Sequence, residues 1–228
     1  MLRILNRVNA KSIFLFLLSF FLFYACKKEE PKRSEAEIEI SKWEFVAQLN
    51  DANQTWNDVC FSDPKTIWSV GNKNFVAKST DGGKSWEGVV VDAVLPENFL
   101  WISIYFQTAN IGWVCGQNKI YKTIDGGKTW KSMFDVSKFP QLPNGNFGAQ
   151  TVHFISAEKG FFCGNNGFIL STIDGGKTWN SQIFKELESN VLFGITFSGE
   201  NNGWIIGNTV LLNTTNGGAN WQIQQSSA

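Results

Sequence analysis

Arginine is nearly missing from this chain. Its three copies, Arg3, Arg7 and Arg33, all fall within the first 33 residues, so the rest carries no guanidinium. A pocket that grips a substrate carboxylate through a bidentate fork is thereby excluded. Histidine is scarcer still, with His153 standing alone. A zinc site built from several imidazoles is excluded, and any Ser-His-Asp or Cys-His nucleophile has only that ring to use. Net charge is also absent, at +0 for the 228 residues, and from residue 42 onward 13 Lys face 15 Asp and Glu. No basic excess is available to hold nucleic acid. The longest apolar run, Ile13 to Tyr24, falls short of the ~20 residues that span a bilayer. What the chain does have is 10 Trp, 20 Phe and 21 Gly, a composition of short aromatic strands joined by glycine turns.

The N-terminus reads as a targeting segment. Arg3, Arg7 and Lys11 precede the apolar run, which has the length of a signal-peptide core, and Ala25-Cys26 follows it. A small residue directly before a Cys at the end of such a run resembles a bacterial lipobox, although Phe23 and Tyr24 stand where Leu and a small residue are usual. The expected organisation is a signal peptide over 1–25, a lipidated Cys26 with a charged tether to 42, and a repeat domain over 43–228. Residues 27 to 42 (KKEEPKRSEAEIEISK) are too polar to bury a core. The charges directly after Cys26 also resemble the export tag of some surface lipoproteins. The expected location is therefore outside the cytoplasm, held by lipid at the outer membrane or cell surface.

Four repeats organise the remainder. The segments STDGGKSW, KTIDGGKTW, STIDGGKTW and NTTNGGANW place Asp81, Asp125, Asp174 and Asn216 at separations of 44, 49 and 42 residues. A period in that range marks propeller blades or a solenoid. Other columns keep the same register: Gly71, Gly116, Gly164 and Gly207; Trp68, Trp113, Phe161 and Trp204; Phe61, Phe106, Phe154 and Phe197. Each unit parses as four short strands, in the second copy Trp101 to Phe106, Ile111 to Gly116, Lys119 to Thr123 and Thr129 to Phe134. Sheets apolar on both faces must stack, so the expected fold is an all-β propeller of four four-stranded blades. Trp43 to Val46 resembles the segment after each box and is expected to pair with the last blade and latch the ring. The alternative is an open arc whose end faces must be hidden by dimerisation.

The repeated segment matches the Asp-box, or bacterial neuraminidase repeat. Its carboxylates and aromatics (Asp81 with Trp86, Asp125 with Trp130, Asp174 with Trp179, Asn216 with Trp221) read as a hairpin turn: the acid accepts backbone N–H groups, the glycines supply positive φ, and the Trp covers the turn. With Gly-Trp-Val-Cys-Gly at 112 to 116, the repeats over 56 to 225 resemble those of the photosystem II stability and assembly factor family. That resemblance implies a propeller that binds proteins without catalysis. It departs from the family in having fewer blades and no arginine in the domain.

No catalytic residue, metal ligand set or cofactor is implied by the residues. Sialidase chemistry lacks its arginines. Other glycosidases need two carboxylates, for which Asp51, Asp58, Asp92, Glu97, Asp135, Glu186, Glu188 and Glu200 are available without any recognisable pairing. His153 shares a column with Cys60, Tyr105 and Thr196, which suggests a position between blades. Cys60, Cys115 and Cys163 read as small buried residues, since equivalent points on stacked sheets lie ~10 Å apart and a disulfide needs Cα atoms within about 7 Å. The favoured reading is a binding module for an unknown protein of the cell envelope; a glycan-binding or glycan-cleaving module is the alternative. The long loops between outer and inner strands are expected to form the binding face, with Trp56 and Trp101 as candidate contacts.

Overall fold

The computed structural model describes residues 54–134, 139 and 148–224. Contacts divide the chain after Glu44, and all of the described residues belong to the unit Phe45–Ala228. The signal segment, Cys26, the tether, the expected strand Trp43 to Val46 and most of the loop after Phe134 lie outside the described residues.

Four antiparallel four-stranded sheets follow one another, each with its strands in chain order. The first contains β1 (Trp56–Phe61), β2 (Ile67–Gly71), β3 (Val76–Ser79) and β4 (Glu87–Val89). The second contains β5 (Ser103–Phe106), β6 (Gly112–Gly116), β7 (Lys119–Thr123) and β8 (Lys131–Ser132). The third contains β9 (Thr151–Phe154), β10 (Gly160–Cys163), β11 (Phe168–Thr172) and β12 (Asn180–Ile183). The fourth contains β13 (Leu192–Ser198), β14 (Asn202–Gly207), β15 (Leu211–Thr214) and β16 (Gln222–Gln224). Four sheets from four repeats is the propeller that the columns predict.

Strand alternation sends successive side chains to opposite faces, so a central blade must bury both. In β6, Trp113 and Cys115 enter the cluster shared with the third blade, with Phe154 and Phe162, whereas Val114 enters the cluster shared with the first, with Trp68 and Ile104. In β10, Phe161 and Cys163 face the fourth blade alongside Leu192 and Leu212. Each of these three clusters is one joint between neighbouring blades. Cys115 and Cys163 are buried and free, and burial raises both thiols above their ordinary pKa, whereas Cys60, expected to be buried with them, is only partly so, because it lies on the inner strand of the first blade.

The loops separate into two sides. On one, each long loop is bonded to the β2–β3-type hairpin of the preceding blade: Asn74 N–H donates to Phe99 O at 2.7 Å, Ala149 N–H to Gln117 O at 2.9 Å and Gly167 N–H to Asn190 O at 3.0 Å. These hairpins turn through left-handed residues, Lys73, Asn74, Gln117 and Asn166. On the other side, the first glycine of each box donates to the adjacent inner turn, from Gly82 to Lys65, Gly126 to Asn110, Gly175 to Glu158 and Gly217 to Asn201.

Candidate functional site

Each box is built round a buried hydroxyl. In the second copy, Thr123 Oγ1 accepts Gly127 N–H at 2.8 Å and donates to Asp125 Oδ1 at 2.8 Å. Asp125 in turn accepts Thr129 N–H at 2.9 Å and the Thr129 hydroxyl at 2.6 Å. The third copy repeats this through Thr172, Asp174 and Thr178, and the first does so with Ser79, Asp81 and Ser85. Asn216 keeps two of the contacts, accepting Asn220 N–H at 3.0 Å and the Thr214 hydroxyl at 2.9 Å. Bonds to the following hydroxyl and its backbone N–H hold Asp81, Asp125 and Asp174 at a pKa of about 2. Carboxylates engaged in this way are poor proton acceptors at neutral pH. The three acids accept a backbone N–H inside the turn as the sequence suggests, while the N–H of the second glycine goes to the hydroxyl at the head of each box, a role the sequence reading missed although that hydroxyl recurs in all four.

The box tryptophans do more than cover their own turns. Trp130 packs edge-on against Trp68 of the preceding blade at 6.0 Å, Trp179 against Trp113 at 6.0 Å and Trp221 against Phe161 at 6.1 Å. Trp179 also donates its ring N–H to Met133 O at 2.9 Å.

Of the candidate carboxylates, Asp58 and Asp92 are bonded to neighbouring groups, whereas Glu97, Glu186, Glu188 and Glu200 are exposed; the histidine lies between blades. Asp58 accepts the Ser103 hydroxyl at 2.7 Å and Ile104 N–H at 2.9 Å, stapling the first inner strand to the second. Asp92 accepts the Tyr121 hydroxyl and Val94 N–H. Those bonds, the tyrosine's first, lower the Asp92 pKa, while burial and then Asp92 raise that of Tyr121. His153 stacks on Phe197 at 5.9 Å and sits 5.7 Å from Tyr105, between blades as its column suggests, and burial lowers its pKa. Asp51 and Asp135 lie outside the described residues, and among those described no three His, Cys, Asp or Glu gather as metal ligands would.

The two candidate contact tryptophans part company. Trp101 is 0% exposed, with its ring N–H bonded to Asn74 and its face against Phe99 and Tyr121, so it caps the core and offers no contact surface. Trp56 is 39% exposed and lies against Phe75 and Trp86, on the side of the first sheet turned away from the second. On the long-loop side the most open apolar side chain among the described residues is Val94, 88% exposed in the loop before β5.

Comparison with known proteins agrees with the repeat architecture. The chain matches the family described as Photosynthesis system II assembly factor YCF48 over residues 35–151 and 144–227. A "Photosystem II assembly lipoprotein Ycf48" of Synechococcus sp. (strain CC9902) is 35% identical over 77 residues, 34% of this chain and 22% of that protein. The matched stretch thus spans about a fifth of that relative's length. Among solved structures, YCF48 from Cyanidioschyzon merolae superposes with a TM-score of 0.59 at 21% identity, over 76% of this chain and 58% of that one. An ancestral GH74 enzyme superposes equally well, with a TM-score of 0.59 at 17% identity over 76% of this chain and 24% of that one. Both structural likenesses are likenesses of fold. With the family match running through every blade, the chain belongs to the YCF48 family of photosystem II assembly factors.

Proposed function

We propose that this chain is a non-catalytic lipoprotein of the cell envelope whose propeller holds a protein partner through the long-loop face. The observation that carries the reading is the family match from residue 35 to 227, which includes all four blades. Relatives in that family are named as assembly lipoproteins. The chemistry of the boxes supports the same reading, because their carboxylates are spent on turn bonds. A lipid on Cys26 and the polar tether after it would hold the propeller off the membrane with its loops free. On that face Val94 is the most exposed apolar side chain among the described residues, which makes it the position to probe.

The test is capture from the native envelope by the full chain carrying a photo-crosslinker, compared with Val94→Glu and with Lys128→Ala on the box side. One protein should be captured by the wild type and by Lys128→Ala and lost from Val94→Glu. Loss from Lys128→Ala alone would move the site to the box face. Binding of a polysaccharide, with no protein captured, would replace the protein partner by a glycan.

A further inference from the structure

The three joints between blades are one device used three times. A large aromatic of the second strand, Trp68, Trp113 or Phe161, is received by the next blade in two ways. The inner-strand phenylalanine stacks on it, Phe106 at 4.8 Å, Phe154 at 4.5 Å and Phe197 at 5.0 Å. The second box glycine lies under its edge so closely that a Cβ would meet the ring at 2.1 Å at Gly127, 2.4 Å at Gly176 and 2.4 Å at Gly218.

Both halves of a fourth joint are exposed. The last blade presents the inserting half: Trp204, 37% exposed, stands in the column of Trp68, with Ile206 and Leu211 also open on that face. The first blade presents the receiving half: Phe61 is 59% exposed, Val59 is open beside it, and Gly83 meets no ring of another blade. Among the described residues neither Phe61 nor Trp204 makes a ring contact. The receiving half differs in one respect. Phe106 lies flat over Gly112, where a Cβ would meet its ring at 2.5 Å, but Ile67 holds the equivalent place under Phe61.

We propose that a second copy of this chain fills both faces, the fourth blade of each copy inserting Trp204 against Phe61, Gly83 and Trp86 of the other. A pair joined head to tail in this way uses the same joint twice and closes on itself about a two-fold axis. Its eight blades lie within the four to eight that propeller rings take. The occupant is a second copy because the inserting and receiving halves are complementary, and a copy of the chain brings both in the order the internal joints use. This pairing is independent of the loop-face partner.

The full chain, in density-matched detergent, should sediment at twice the 25.6 kDa of one copy. Trp204→Glu and Phe61→Glu should each weaken pairing at least tenfold. Mixed in equal amounts, the two variants should pair again, because one of the two joints then keeps both aromatics. A benzophenone amino acid at position 61, in a mixture of light and isotopically heavy chains, should crosslink the Trp204 peptide between light and heavy copies. A single-copy mass at all concentrations overturns the proposal. So do crosslinks confined within one copy, which mean closure of a four-bladed ring, and crosslinks to residues 43–53, which mean cover by the N-terminal strand. Pairing by Trp204→Glu at wild-type strength overturns it as well. Melting temperatures of the two variants, measured where the chain is dilute, should stay near that of the wild type, since both side chains are exposed.

Discussion

The Thr123 hydroxyl stands between two partners, accepting Gly127 N–H and donating to Asp125, and the threonine is itself buried. The half-buried carboxylate of Asp125 therefore acts through a buried hydroxyl. Thr123→Val keeps the shape, removes the acceptor and strands a partly buried N–H, at a cost of about 1 kcal/mol or more. Asp125→Ala should lower the melting temperature by less, because the Thr129 donors it releases turn to water. Urea unfolding of the two variants side by side checks the order, and a larger loss in Asp125→Ala would make the acid the hub.

Trp113 is fully buried, stacked on Phe154 and covered by the Lys122 ammonium 4.7 Å from its ring. Trp113→Ala should destabilise by about 3–5 kcal/mol, the range for emptying an aromatic site in a core. Gly176→Ala should also be severe, since its φ is +86° and the new Cβ would meet that ring. Melting curves that leave either variant near wild type would remove the joint as a source of stability.

The three box aspartates fix the sign of an acid response. Each is held at about 2 in the folded chain, against roughly 3.9 when unfolded. Their contribution is complete above the unfolded value and is lost as pH falls from about 4 toward 2. The melting temperature should therefore decline over that window. Asp125→Asn, which copies the natural Asn216, should decline less steeply; an equal slope would assign the acid response to other groups.

Cys26→Ser should abolish labelling of the expressed chain by a fatty-acid probe. Labelling that persists in the variant, or a wild type recovered without lipid, would refute the anchor.

Much of the architecture was legible in the sequence because it depends on local rules. Period-two alternation specifies a two-faced strand, and Asn, Gly and Asp specify the turns between strands. The columns Phe106, Trp113 and Gly116 thus placed the strands of the second blade within two residues of where they lie at the inner edge. The position of His153 between blades followed from its column in the same way. The outer strand was less legible: expected over Thr129 to Phe134, it forms a ladder at Lys131–Ser132, with one further bond from Met133 N–H to Ile120 O.

Sequence alone determined the number of blades, the chemistry of their turns and the family to which the repeats belong, because each repeat carries its own alternation and punctuation. Only the tertiary structure decided which equivalent side chains are covered. Trp56 and Trp101 occupy one column, and so do Trp68 and Trp204, yet Trp101 and Trp68 are buried while Trp56 and Trp204 are exposed. The reason is physical: a side chain on a sheet face is buried by the neighbouring sheet and not by its own strand. Trp101 has the first blade to pack against and Trp68 has the second, whereas Trp56 and Trp204 stand at the two faces where no neighbouring blade is described.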